Sequence, residues 1–313
     1  MATRAQIEEH YDTIGAMHAL RMEDVQGDFP DYTCAFFDGN FKKSYQQAQE
    51  DKHEWIFKGL GLGQDLSGKR ILDVGCGWGP ILNAVRKRGG KAIGLTLSPG
   101  QVKHCKDRGL DARLKDYKNL ESNELGIFDG IVSLGAFEHF CSVEENLAGK
   151  QEEIYRQFFK ICADRLPKGG HLFLQTMTWG KKVPDPKKFS LNAKTDSEEA
   201  ILARMKYLYP GSWLPNGLNQ LVECAGEHFD FISRSNGRLD YLQTLKAWST
   251  ATSNLWKLNV LPRTLSHGIP LVFHVLTNRD SRIQFQSIRL GDQSSCFERE
   301  IMSHERIFFR KKS

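Results

Sequence analysis

Residues 71–79 read ILDVGCGWG: an apolar run, an aspartate, then glycines at alternate positions. The run RILDV (70–74) has the pattern of a strand that ends at Asp73-Val74, and GPILNAVRKRG carries the pattern of the following helix. Glycines in such a turn permit positive φ and let a ligand lie against the loop and the helix N-terminus. A dinucleotide loop would read GxGxxG and place an acid about 20 residues on, at the end of the second strand. Here the spacing is GxGxG, and the second strand, KAIGLTL (91–97), runs into Thr96-Leu97-Ser98 with no acid. A pyrophosphate cradle is disfavoured, and a nicotinamide-dependent oxidoreductase with it.

Working outward, short apolar segments alternate with helical ones. DARLKD (111–116), FDGIVSLG (128–135) and HLFLQTM (171–177) read as strands, and PGQVKHCKDRG and YRQFFKICADRL (155–166) as helices. This alternation predicts an α/β, doubly wound, Rossmann-like sheet over 61–178. Residues 1–60 read as a helical segment covering the ligand site. It comprises AQIEEHYDTIGAMHAL and SYQQAQEDKHEWIFKGL, with Ser44 as N-cap, around the loop DFPDYTCAFFDGNF. Residues 179–258 break the alternation with SEEAILARMKYLY, LNQLVECAGEHF and YLQTLKAWSTATSNLW, which read as an inserted helical cap that binds substrate. Residues 259–313 are expected to complete the sheet, with RIFFRK as an added edge strand.

The chain has 313 residues, of which 43 are Lys or Arg and 38 Asp or Glu, a net charge of +5. So small a surplus argues against a nucleic-acid-binding protein. No apolar run approaches the roughly 18–20 residues of a membrane span, and MATRAQIEEHYD lacks the apolar core of a signal peptide. The seven cysteines are scattered without CxxC spacing. A cytoplasmic protein with reduced thiols and no metal site is the expectation.

Beyond the loop, GLTLSPGQ (94–101), KDYKNL (115–120), FDGIVSLGAFEHF (128–140) and LPKGG (166–170) follow in order. In order and spacing they resemble a class I S-adenosylmethionine-dependent methyltransferase. EHYD (9–12), YTCAFF (32–37), the EHF after SLGAF, YLYPGSWLP (207–215) and DYLQTLKAW (240–248) narrow the resemblance to the cyclopropane-fatty-acid and mycolic-acid synthase family.

The resemblance implies S-adenosyl-L-methionine as cofactor. Gly75, Gly77 and Gly79 would pass under its methionine moiety and Asp73 would organise the loop or bind the amino group. Thr96, Leu97 and Gln101 would lie on the ribose side, Asp116 and Tyr117 near the adenine, and Tyr32 and Thr33 toward the carboxylate. It implies methyl transfer to an alkene carbon of an unsaturated acyl lipid, by cyclopropanation or methyl branching. It further implies a bicarbonate held by Cys34, Glu138, Tyr241 and a family histidine whose place falls on Gln175. Tyr11 and His139 complete the candidate catalytic set. Glutamine donates hydrogen bonds but does not titrate. Gln175, and Met17, His18 and Leu20 where lipid-acting relatives carry aromatics, keep a second acceptor class open: a small molecule or natural product methylated without ring closure. The lysines of GKKVPDPKK read as a solvated face, or as a contact for an acyl carrier or phospholipid headgroups. Trp179, Trp213, Trp248 and Trp256 line an acyl tunnel or simply pack.

Overall fold

The computed structural model describes residues 28–121, 124–252, 273 and 275–313. Seven strands form one sheet in the order β3-β2-β1-β4-β5-β7-β6. They are β1 (Arg70–Val74), β2 (Lys91–Thr96), β3 (Asp111–Leu114), β4 (Gly130–Leu134), β5 (His171–Trp179), β6 (Phe229–Asn236) and β7 (Met302–Lys311). The first five are parallel; β7 runs antiparallel between β5 and β6. The strand order steps from β1 outward to β3 and back to β4, so the carboxyl ends of β1 and β4 flank a crevice where such sheets bind ligands.

The central strands are apolar on both faces because helices cover both. On one face α5 (Gln151–Ala163) packs Ile154, Tyr155, Phe158 and Phe159 onto Leu72, Ile131, Leu172, Leu174 and Phe309. On the other, α1 (Tyr45–Gly59) buries Ile56 and Phe57 against Val132, Phe173 and Phe308. Ser44 caps α1 as expected, accepting the Gln47 amide. The helices α2 (Pro80–Lys87), α3 (Pro99–Asp107), α4 (Val143–Leu147) and α7 (Leu218–Ala225) complete the layers.

A second core forms beyond the carboxyl end of β5. There α6 (Glu198–Leu208), α8 (Arg238–Thr252), α9 (Arg279–Leu290) and α10 (Asp292–Glu298) gather Trp179, Ile201, Met205, Trp213, Tyr241 and Phe297. Arg204 of α6 holds Asp292 of α10 through two bonds of 2.6 and 2.7 Å, a buried bidentate pair.

Two elements differ from the sequence reading. Phe229–Asn236, inside the stretch read as helical, is strand β6. It is polar, largely exposed and shifted in register between Phe231 and Ser233, so it lacks the apolar alternation that marks a strand. RIFFRK belongs to β7, which lies inside the sheet and is buried along most of its length, because β6 covers its outer side. The first helix, AQIEEHYDTIGAMHAL, lies outside the described residues.

Candidate active site

The loops after β1, β2 and β4 enclose one cavity of about 1180 Å³ together with Tyr32–Cys34 and helices α8 to α10. Gly75 (φ 90°) and Gly77 (φ 53°) shape its floor. A Cβ on Gly75 would stand 2.2 Å from that of Ala136, whereas one on Gly77 would meet nothing within 4 Å, so Gly77 has open space beside it. Gly79 does not line the cavity: it caps α2, and a Cβ there would strike Leu110 and the Cys105 thiol. Packing against Leu110 and Cys105 is enough to require glycine there.

Asp73 ends β1 on the cavity wall, 2% exposed, with Oδ1 buried and unpartnered. Burial, with the Asp31 charge, pushes its carboxyl up to about 8. A carboxyl so placed can pair with a cation brought by a ligand. Thr96 donates to Gln101 Oε1 at 2.5 Å, and Ser98 caps α3, so the β2–α3 turn presents a fixed polar edge with the half-buried Leu97. Asp116 accepts the Lys118 amide and sets the short turn that places the buried Tyr117 ring.

On the opposite wall Asp31 accepts from both the amide and the hydroxyl of Thr33, at 3.0 and 2.6 Å. Burial would raise the Asp31 carboxyl, but Lys52 at 2.7 Å and His53 at 3.1 Å hold it well below the usual range. Tyr32 sits edge-on to Trp248, centroids 6.2 Å apart. Of the tryptophans, Trp248 lines the cavity, while Trp179 and Trp213 pack on each other at 4.9 Å. Trp256 lies outside the described residues.

The candidate catalytic side chains divide into two clusters. Glu138 is buried, accepts the Met177 amide through Oε1, and leaves Oε2 buried and unpartnered. Burial raises its carboxyl to about 7. Tyr241 accepts from Gln293 at 3.4 Å, and Gln293 also donates to Tyr209 at 2.6 Å. His139 meets Ser212 Oγ at 2.8 Å, and burial lowers it to about 4.

Cys34 and Gln175 belong to the other cluster, built around the fully buried Arg306. Arg306 bonds Asp240 at 2.8 Å, the Ala35 carbonyl at 2.6 Å, Cys34 Sγ at 3.2 Å and Gln175 Oε1 at 3.4 Å. The Gln175 amide nitrogen donates to the Cys34 carbonyl at 3.4 Å. Burial pushes the Cys34 thiol up to about 11, although Arg306 opposes it, so it stays protonated. Tyr11 lies outside the described residues.

Sequence reasoning missed Arg306, Gln293 and His304. The available signal was HER at 304–306, charged residues inside an otherwise apolar strand. The lysines of GKKVPDPKK are mainly exposed, Lys181 pairing with Glu300 and Lys182 with Glu198. No helix among the described residues is long and apolar enough to cross a membrane.

The family described as mycolic acid cyclopropane synthetase matches residues 1–261. Cyclopropane mycolic acid synthase 2 of Mycobacterium leprae (strain TN) is 31% identical over 263 residues, covering 78% of each chain. Among solved structures, mycolic acid cyclopropane synthase CmaA1 complexed with SAH and CTAB aligns at TM-score 0.68 with 24% identity, over 98% of each chain. Cyclopropane synthase MmaA2 from Mycobacterium tuberculosis aligns at 0.70 with 20% identity, over the same shares. The glycine loop, the buried Asp73 and this kinship agree: the chain belongs to the mycolic acid cyclopropane synthetase family and is an S-adenosylmethionine-dependent methyltransferase.

Proposed function

We propose that the chain methylates an alkene carbon of an unsaturated acyl lipid, closing a cyclopropane or leaving a methyl branch. The observation that carries this reading is the size and lining of this cavity. At about 1180 Å³ it exceeds the roughly 300–1,000 Å³ of an ordinary small-molecule site. It runs from the polar glycine loop to a wall of Met177, Leu208, Leu245 and Ile288. Cofactor and a length of hydrocarbon fit it together.

S-adenosylmethionine supplies an electrophilic methyl on a sulfonium. In this reading Asp73 holds its amino group, Gly75 and Gly77 admit the methionine moiety, and Tyr32 and Thr33 stand at the carboxylate. Thr96, Leu97 and Gln101 take the ribose side, and Asp116 and Tyr117 the adenine. The apolar wall aligns the acyl chain and excludes water, which leaves proximity and orientation to lower the barrier. Glu138 stabilises positive charge that develops on the acceptor.

The surroundings of Cys34 and Gln175 offer bicarbonate little. Gln175 Oε1 is turned onto Arg306, Arg306 is matched by Asp240, and Cys34 is a protonated thiol. No step in this reading passes through that anion. Gln175 itself favours the second reading, a small-molecule acceptor without ring closure, since a non-titrating amide stands where the family resemblance puts histidine.

Incubation with methyl-deuterated S-adenosylmethionine and lipid and small-molecule extracts separates the two by mass spectrometry. A fatty-acyl product gaining CD2, about 16 mass units, marks ring closure with a deuteron lost to a base. An intact CD3 on an acyl chain marks branching. Label only on a non-lipid metabolite overturns the lipid reading.

A further inference from the structure

In the antiparallel β5–β7 pair, Gln175 stands opposite Arg306 and Met177 opposite His304. Residues directly opposite share a face, and Gln175, Met177 and His304 all line the cavity. His304 is 1% exposed, and its Nδ1 is buried without a hydrogen-bond partner. Leaving a buried polar atom unpaired disfavours the fold. Nδ1 itself lies toward Gly237, where an added Cβ would stand 2.5 Å from it, so a proton from the cavity meets the ring at its other nitrogen, Nε2. The ring lies edge-on to Tyr241, centroids 5.2 Å apart. Its cross-strand neighbour Met177 supplies the amide that fixes Glu138. His304 thus touches Tyr241 directly and is linked to Glu138 through its cross-strand neighbour Met177. Burial, with the Arg306 and Lys52 charges, keeps the imidazole neutral, the form that has a free electron pair.

We propose that His304 is a catalytic base, placed on the cavity wall to take the proton that the acceptor loses on methylation. The acceptor's electron pair forms the new bond to the methyl as the S–C bond breaks and sulfur keeps its pair. The methylated acceptor then carries one positive charge. A proton passes from it to a ring nitrogen of His304, and the bonding pair left behind closes the ring, or neutralises an N–H or O–H acceptor. The imidazolium returns its proton to solvent between turnovers. This inference needs only the methyltransferase chemistry and holds for either acceptor class.

Two measurements test it on the full chain. First, protein labelled with [13Cε1]histidine is compared in its S-adenosylmethionine and S-adenosylhomocysteine complexes, with H304Q assigning the resonance. The two ligands differ by the sulfonium methyl and its charge, so a base beside the reacting centre gives different resonances in the two complexes. Identical resonances overturn the proposal whatever the acceptor. Second, turnover on vesicles of 1-palmitoyl-2-oleoyl-phosphatidylglycerol is compared for wild type, H304Q and H304N. The expected loss is about 100-fold, with S-adenosylhomocysteine affinity within about twofold of wild type, which certifies the folded site. Variants within about threefold of wild-type turnover overturn the proposal. Vesicles that wild type leaves unlabelled count against the phospholipid acceptor, and the resonance comparison then decides on His304.

Discussion

Glu138 Oε1 accepts the Met177 amide at 3.0 Å, so the strand that carries Gln175 also fixes a cavity carboxyl whose other oxygen is buried without a partner. Burial has raised that acid to about 7, and it ionises as pH passes through that value. Because the ionised form stabilises a cationic acceptor, kcat should climb through about pH 7 in wild type. In E138Q it should fall by about 10²-fold and lose that limb. A kcat profile for both proteins, with cofactor affinity measured alongside, checks this. An unchanged limb in E138Q would assign it to another group.

Asp73 and Glu138 also make stability depend on pH. Both are raised in the folded protein, from 3.8 to about 8 and from 4.5 to about 7. The folded state therefore binds more protons than the unfolded one across this window. Their contribution is fully present below about pH 4 and is lost as pH rises to about 8. Ligand-free protein should melt lower at pH 8 than at pH 5. The thermal shift given by S-adenosylmethionine should grow over the same range, because its cationic amine favours ionised Asp73. D73N should raise the ligand-free melting temperature, weaken S-adenosylmethionine by about tenfold or more, and abolish most of the pH trend in the shift. Differential scanning fluorimetry across pH measures all three.

The two cavity glycines should respond differently to alanine. In G75A the new methyl meets Ala136 at 2.2 Å in a left-handed backbone, so a loss of about 3 kcal/mol or more is expected. G77A has only the backbone strain, about 1–2 kcal/mol, and should stay folded. Its methyl projects into open space, so cofactor affinity should drop while the fold survives. Denaturant melts and calorimetry on the two variants separate these effects.

Arg306 and Asp240 form a buried pair at 2.8 Å that also anchors Ala35 and Cys34. D240N leaves a guanidinium buried without its counter-charge, for an expected loss of about 3–5 kcal/mol. The double variant R306M/D240N should recover part of it, since the unmatched charge is gone. Urea unfolding of the three proteins tests this. Equal losses in single and double variants would mean the pair acts through packing alone.

The parallel half of the sheet was legible because β1 and β4 are buried on both faces and the glycine turn follows β1. The cavity residues on those strand ends were legible for the same reason: a fixed motif places them at fixed positions along the chain. β6 was not legible, since an exposed edge strand such as Phe229–Asn236 has no apolar alternation to announce it. His304 and Arg306 were hidden differently. Their partners Met177 and Gln175 lie about 130 residues away in sequence, and only the pairing of β5 with β7 brings them together. Gln175 cannot titrate, yet an imidazole, that of His304, stands on the neighbouring strand.

The position of β7 inside the sheet has a consequence for synthesis. Domains fold largely in the order in which the ribosome releases them, and this sheet cannot close that way. β5 keeps an open edge, and the cavity lacks His304 and Arg306, until Met302–Lys311 has left the exit tunnel. Nascent chains therefore hold the glycine loop before the cavity is complete. A stop codon inside Met302–Lys311 would release a chain that keeps that loop but lacks the wall carrying His304.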